Sequence, residues 1–182
     1  DVAFGADHVT AALALLGRAV EPAGGSVDVL QPGGDDPFFS EIAGLEGAID
    51  QVGEAPFDVV IVLQATFSDS SLIGRVAERT DAPLLVWSFP EKRTGDRLRL
   101  NSLCGANLAA YLLRRRTGSH PGVAFVHVDP LDPEEQATTR LAEAIRRAAT
   151  PPPPAPAPGE APASSPGTDT GRRLAAMFHG DR

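Results

Sequence analysis

Two runs in the middle of the chain, Val59-Val60-Ile61-Val62-Leu63 and Leu84-Leu85-Val86-Trp87, are apolar at every position. A strand with one face in water alternates apolar and polar residues. A run without alternation belongs to a strand covered on both faces, as parallel sheets with helices on each side provide. The first run sits in a predicted strand Asp58–Leu63 and the second in Pro83–Phe89. Two further β-branched runs, Val27–Leu30 and Val123–Val128, bring the predicted strands to four.

Apolar stripes at helical spacing lie between them. Val9, Ala12, Leu13, Leu16 and Val20 form one, and Phe38, Ile42, Leu45 and Ile49 a second. Leu72, Ile73 and Val76 make a short third, and Leu100, Cys104, Leu108, Tyr111 and Leu112 a fourth. Ala137, Leu141, Ala144, Ile145 and Ala148 form the fifth. Strand and helix thus alternate with short polar breaks, which predicts an α/β fold. The expected architecture is an open, doubly wound parallel sheet of four to five strands in three layers, flavodoxin-like. Asp1-Val2-Ala3-Phe4 reads as the interior of a longer chain, so a first strand is expected just ahead of Asp1. Asp132 is the expected cap of the helix that opens with Pro133-Glu134-Glu135, Ser68 or Asp69 of the third helix, and Asn101 of the fourth.

With 182 residues there is room for one ordinary domain. It is expected over residues 1–150. Pro151 to Pro154 and the Ala-Pro repeats that follow read as a disordered Pro/Ala-rich linker over 151–171. A short tail, 172–182, holds Leu174, Ala175, Met177 and Phe178, enough for a turn or two of helix but too short to be stable alone. A formal net charge of −8 argues against a nucleic-acid binder, which needs clustered cations. The one basic run, Arg114-Arg115-Arg116, closes a predicted helix, where it complements the dipole. No apolar stretch is long enough to span a bilayer, and a single Cys cannot form an intrachain disulfide. A reducing, cytoplasmic setting is expected.

In open parallel sheets ligands bind beyond the carboxyl ends of the strands. The loop after the second predicted strand carries Gln64, Thr66, Phe67, Ser68, Asp69 and Ser70 just where a helix begins. Hydroxyls, an amide, a carboxylate and a ring face are what polyol recognition uses. Helix capping by Ser68 and Asp69 over a packed Phe67 accounts for the same residues, and both readings stay open. The loop after the third strand offers Glu91 as a ligand-facing carboxylate, with Lys92, Arg93 and Arg97 as partners, or else a solvated charged loop. Gly105 within a helical pattern suggests close approach of another backbone. Cys104 reads as a small core residue, because no His is near it in sequence to activate it. His8, His120, His127 and His179 are scattered without metal-ligand spacing, and His127 next to Asp129 reads as structural. There is neither a dinucleotide fingerprint nor a phosphate loop. No catalytic and no metal-binding residues are assigned in this chain.

Three segments together resemble the N-terminal domain of proteins related to L-fucose and L-arabinose isomerase. They are Leu63–Asp69, the stretch Pro83–Glu91 with Trp87, Phe89, Pro90 and Glu91, and Arg97–Leu108 with Asn101, Ser102, Leu103, Cys104 and Gly105. The resemblance spans roughly Asp1 to Thr150. It implies a cytoplasmic aldose–ketose isomerase in carbohydrate metabolism, built from this domain and two more, with manganese held by the later domains as Lewis acid. It also implies that the N-terminal domain lends residues to a neighbouring subunit's sugar pocket: Phe67, Ser68, Asp69 and Ser70 first, then Glu91. The Pro/Ala tail stands where a second domain would begin, so this chain is expected to lack the metal-binding domains and to be inactive alone. Its expected partners are second and third domains, or neighbouring subunits of a homo-oligomer, around a small sugar. The alternative is a non-catalytic α/β module that binds a small polyol or a protein.

Overall fold

The computed structural model describes residues 2–32, 38–52, 56–68, 70–90, 100–116 and 122–150. They belong to one compact unit, Asp1–Pro151. The Pro/Ala-rich linker and the tail fall outside the described residues. The elements run α1 (Val2–Val20), a short 3-10 turn (Glu21–Ala23), α2 (Ile42–Val52), β1 (Val60–Leu63), α3 (Ser71–Arg79), β2 (Leu84–Ser88), α4 (Ser102–Arg116), β3 (Val123–His127) and α5 (Glu134–Ala149). The three strands are parallel in the order β1-β2-β3. Val62 is level with Val86, and Val86 with Phe125.

The absence of alternation in the two apolar runs has the expected cause. Leu84, Leu85, Val86, Trp87 and Ser88 are all buried, so the central strand meets no water on either face. Leu84 and Val86, with Val60 and Val62, face α3 and α4 through Ile73, Ala106, Ala109 and Leu113. Trp87, with Ile61 and Leu63, faces α1 and α5 through Ala12, Leu15, Leu16, Ala19, Ala137 and Leu141. Leu85 packs on that second face against Ala144 and Ala148 of α5. No helix among the described residues is long and apolar enough to cross a membrane.

Several expectations change. Among the described residues the sheet has three strands rather than four to five. Val27–Leu30 is irregular and its Val29 is 50% exposed. Strand geometry needs a neighbour to take its hydrogen bonds, and among the described residues no strand pairs with this run. The stripe assigned to α4 is out of register. Ser102, Gly105, Ala106, Ala109 and Leu113 are buried, while Cys104 and Tyr111 are exposed. Apart from Leu113, the buried side chains of α4 are small, which lets the helix approach closely, and apolarity alone does not reveal that choice. The caps also differ. Pro133 precedes α5 without a side-chain cap bond, and Asp129 instead accepts the Leu131 N–H at 2.9 Å. Asn101 does stand directly before α4, as expected, its carbonyl accepting the Gly105 N–H at 3.2 Å, but with φ 57° in place of the extended backbone usual there. The residue ahead of α3 is Ser70, not Ser68, while Asp69 lies outside the described residues.

On the α2–α3 side, Arg75 and Arg79 both pair with Glu46, and Arg79 reaches Asp50 at 2.6 Å. This network fixes α2 beside α3. Each such pair is largely hydrated and contributes little alone.

Trp87 closes the centre of the sheet by donating its indole N–H to the Val128 carbonyl at 2.9 Å. Trp87→Phe leaves that buried carbonyl without its partner, an expected loss of about 1–3 kcal/mol of unfolding free energy. Urea titration followed by circular dichroism checks this, since the chain's single Trp is the residue removed.

Candidate functional site

At the carboxyl end of the sheet, one hydroxyl ties three segments together. Ser102, at the start of α4, donates to the Gln64 carbonyl after β1 at 2.5 Å. Its oxygen accepts the Phe89 N–H after β2 at 3.1 Å. The Gln64 amide is turned into its own loop, donating to the Thr66 carbonyl at 2.7 Å and the Ser68 hydroxyl at 3.2 Å. The Phe67 N–H reaches the Leu100 carbonyl at 2.7 Å. Gly105 makes this contact possible: a Cβ there would lie 2.6 Å from the Thr66 carbonyl oxygen and 2.8 Å from Gln64 Nε2. The close approach suggested by a glycine in a helix is therefore real, and it is the β1 loop that approaches.

The loop's outer surface consists of Phe67, 57% exposed, beside the half-buried Thr66 and Ser68. Ser70 presents no surface at all. It is fully buried in the left-handed region at φ 67°, and its hydroxyl has no partner among the described residues. Its carbonyl accepts the Gly74 N–H at 3.0 Å and so opens α3. Asp69 and Glu91 lie outside the described residues, as do Lys92, Arg93 and Arg97. Phe89 turns inward and stacks on His8 of α1, centroids 5.1 Å apart and planes 15° from parallel. Among the described residues no three His, Cys, Asp or Glu side chains come together as a metal centre would need.

A second polar pair was not legible in the spacing. Ser88 and His127 end β2 and β3 level with one another, and Ser88 Oγ lies 2.9 Å from His127 Nδ1. The usable signal was positional, since each is the last residue of its strand and parallel register brings such residues together. Burial holds the His127 pKa below the usual histidine range, and the Arg140 guanidinium pushes the same way while Asp129 opposes both.

No protein-family profile matches the chain, and neither does any solved structure. Among curated proteins it is similar to the sulfoquinovose isomerases of Priestia aryabhattai and Priestia megaterium. Each is 35% identical over 95 residues, which is 52% of this chain and 21% of the relative. The sulfoquinovose isomerase of Alkalicoccus urumqiensis is 36% identical over 77 residues, 42% of this chain and 17% of its own. Over about half its length, this chain is similar to sugar isomerases. The similarity spans only about a fifth of those relatives. The likeness to sugar isomerases expected from the sequence is thus supported, while the restriction to the fucose and arabinose type is not.

Two measurements test the geometry. Ser70→Gly removes a left-handed strain of about 1 kcal/mol and an unpartnered buried hydroxyl, against a somewhat larger chain entropy in the unfolded state. A net gain of about 1 kcal/mol in unfolding free energy is expected from chemical denaturation. For His127, the native pKa lies below the ordinary value of 6.5, so the unfolded chain binds more protons between the two values. Stability is expected to be fully present above pH 6.5 and to fall as pH drops through that window. His127→Asn flattens that part of the melting-temperature profile.

Proposed function

We propose that this chain is the N-terminal α/β portion of an aldose–ketose isomerase-like protein, and that its β1 loop supplies part of a sugar pocket completed by other domains or neighbouring subunits. The observation that carries this reading is the clasped loop at the sheet's carboxyl end, which exposes the Phe67 ring beside the half-buried hydroxyl residues Thr66 and Ser68. Sugars are bound by that combination, the ring packing on C–H faces and the hydroxyls exchanging hydrogen bonds. Phe67 and Leu103, both more than half exposed, give the same end of the domain an apolar surface that a neighbouring domain or subunit would cover. That exposure favours a domain completed by a partner over a self-contained binding module.

The names of the similar proteins make sulfoquinovose the first sugar to test, with L-fucose and L-arabinose as the neutral comparison set. The manganese implied by the resemblance finds no fitting donor set among the described residues. What these residues can contribute is binding and orientation: Phe67 as a platform and Ser68 as a hydrogen-bonding group, held by Gln64. The proton transfer of the isomerisation belongs, on this reading, to residues elsewhere in the assembled protein. The setting is the cytoplasm, where the exposed Cys104 stays reduced.

The experiment is isomerisation of the three sugars with added manganese. It compares the 182-residue chain with the polypeptide that joins it to second and third domains. The chain alone is expected to be inactive. In the joined protein, Phe67→Ala with Ser68→Ala is expected to lower kcat/KM by about tenfold, roughly 1.4 kcal/mol of transition-state binding. Manganese-dependent turnover by the chain alone, or unchanged kcat/KM in the double variant, overturns the reading.

A further inference from the structure

Among the described residues β1 is hydrogen-bonded on one side only, to β2. The Val60 N–H goes to the Pro83 carbonyl and the Gln64 N–H to the Trp87 carbonyl. Backbone groups alternate along a strand, so those of Ile61 and Leu63 point to the other side. That side is a cleft of about 2150 Å³. Val59 to Leu63 form one wall and Ser26 to Gln31 another, with Leu16 of α1 and Val76 of α3 among the apolar side chains on its two faces.

The placement of the helices says what the cleft receives. Connections between parallel strands are right-handed, so the face on which a helix lies fixes the direction in which the chain steps across the sheet. From β1 to β2 to β3 the chain steps one way, with α3 and α4 on the Val60 and Val62 face. Helix α2 is tied to α3 by Glu46 with Arg75 and Arg79, so it lies on that side too. It leads into β1 and therefore arrives from the side away from β2, where Val27–Leu30 stands across the cleft. Helix α1 lies on the opposite face, against Ile61, Leu63 and Trp87. A right-handed crossover through α1 steps the other way and ends at Val27–Leu30. A strand that feeds α1 then belongs between Val27–Leu30 and β1.

We propose that the open edge of β1 takes up one parallel, apolar strand continuous with the start of α1, and that this strand in turn pairs with Val27–Leu30. The resulting order is Val27–Leu30, the inserted strand, β1, β2, β3. Helices cover β1 on both faces, over Ile61 and Leu63 on one and over Val60 and Val62 on the other, so a strand set beside it is apolar at successive positions, as β1 and β2 are. The inference is independent of the sugar reading.

The test extends the chain ahead of Val2 with Lys-Val-Ile-Val-Val-Gly-Ser and follows amide hydrogen exchange. The Ile61 and Leu63 amides are expected to slow by at least about tenfold, and those of Val27 to Leu30 to gain protection. The Val60 and Gln64 amides, already bonded to β2, are expected to change little. An extension of alternating Lys and Glu is expected to leave Ile61 and Leu63 at the rate of the unextended chain. Where the apolar extension impairs recovery, the free peptide added in excess gives the same readout. Unchanged exchange at Ile61 and Leu63, equal protection by the charged extension, or protection that rises with concentration of the unextended chain, as pairing of two copies would give, each overturns the proposal.

Discussion

The burial of β2 on both faces is the constraint from which the rest of the domain follows. A strand sealed from water has to find a partner for each polar group within the protein, because an unmet buried donor or acceptor costs about 1–3 kcal/mol. Its two neighbours take the backbone groups, the Val128 carbonyl takes the Trp87 indole, and His127 meets the Ser88 hydroxyl. The helices are recruited by the same seal. Small residues of α4 and α5, Ala106, Ala109, Ala144 and Ala148, lie where a helix must come near the sheet. Longer side chains such as Leu113, Leu141 and Leu16 fill the remaining space.

The residues directly ahead of the helices that follow β1 and β2 are both left-handed, and neither is glycine. Ser70 stands before α3 and Asn101 before α4. Asparagine tolerates that region well, whereas serine does so less readily. Such strain persists only where the surroundings over-determine it, and it concentrates at binding and catalytic sites. The clasp made by Ser102, Gln64 and Gly105 is the over-determining element here. It holds the β1 loop against α4 while Phe67 faces outward.

Much of this was legible in the sequence, for reasons that differ by element. The unbroken apolar runs gave β1 and β2 because burial on both faces leaves no polar position. The spacing of Ala137, Leu141, Ala144 and Ala148 gave α5 its buried face directly. Val27–Leu30 has strand composition but is not a strand, since composition cannot supply a hydrogen-bonding neighbour. In α4 the reading followed Cys104 and Tyr111, yet the sheet wanted the least bulky face. At the candidate site, residue types and their loop were readable, and so was the close approach at Gly105. The partner of His127 was not, because it depends on strand register between two residues 39 apart in sequence.

Helix α4 has a consequence for how this domain tolerates change. It is attached to its own sheet through glycine and alanine, while Leu103 and Tyr111, each more than half exposed, point away. The two sides of one helix therefore answer to opposite rules. On the inner side, at Gly105, any gain in volume is harmful, because a Cβ there would collide with the Thr66 carbonyl oxygen. On the outer side the domain itself asks for no particular size, so bulk kept there would be a record of something else that the helix touches.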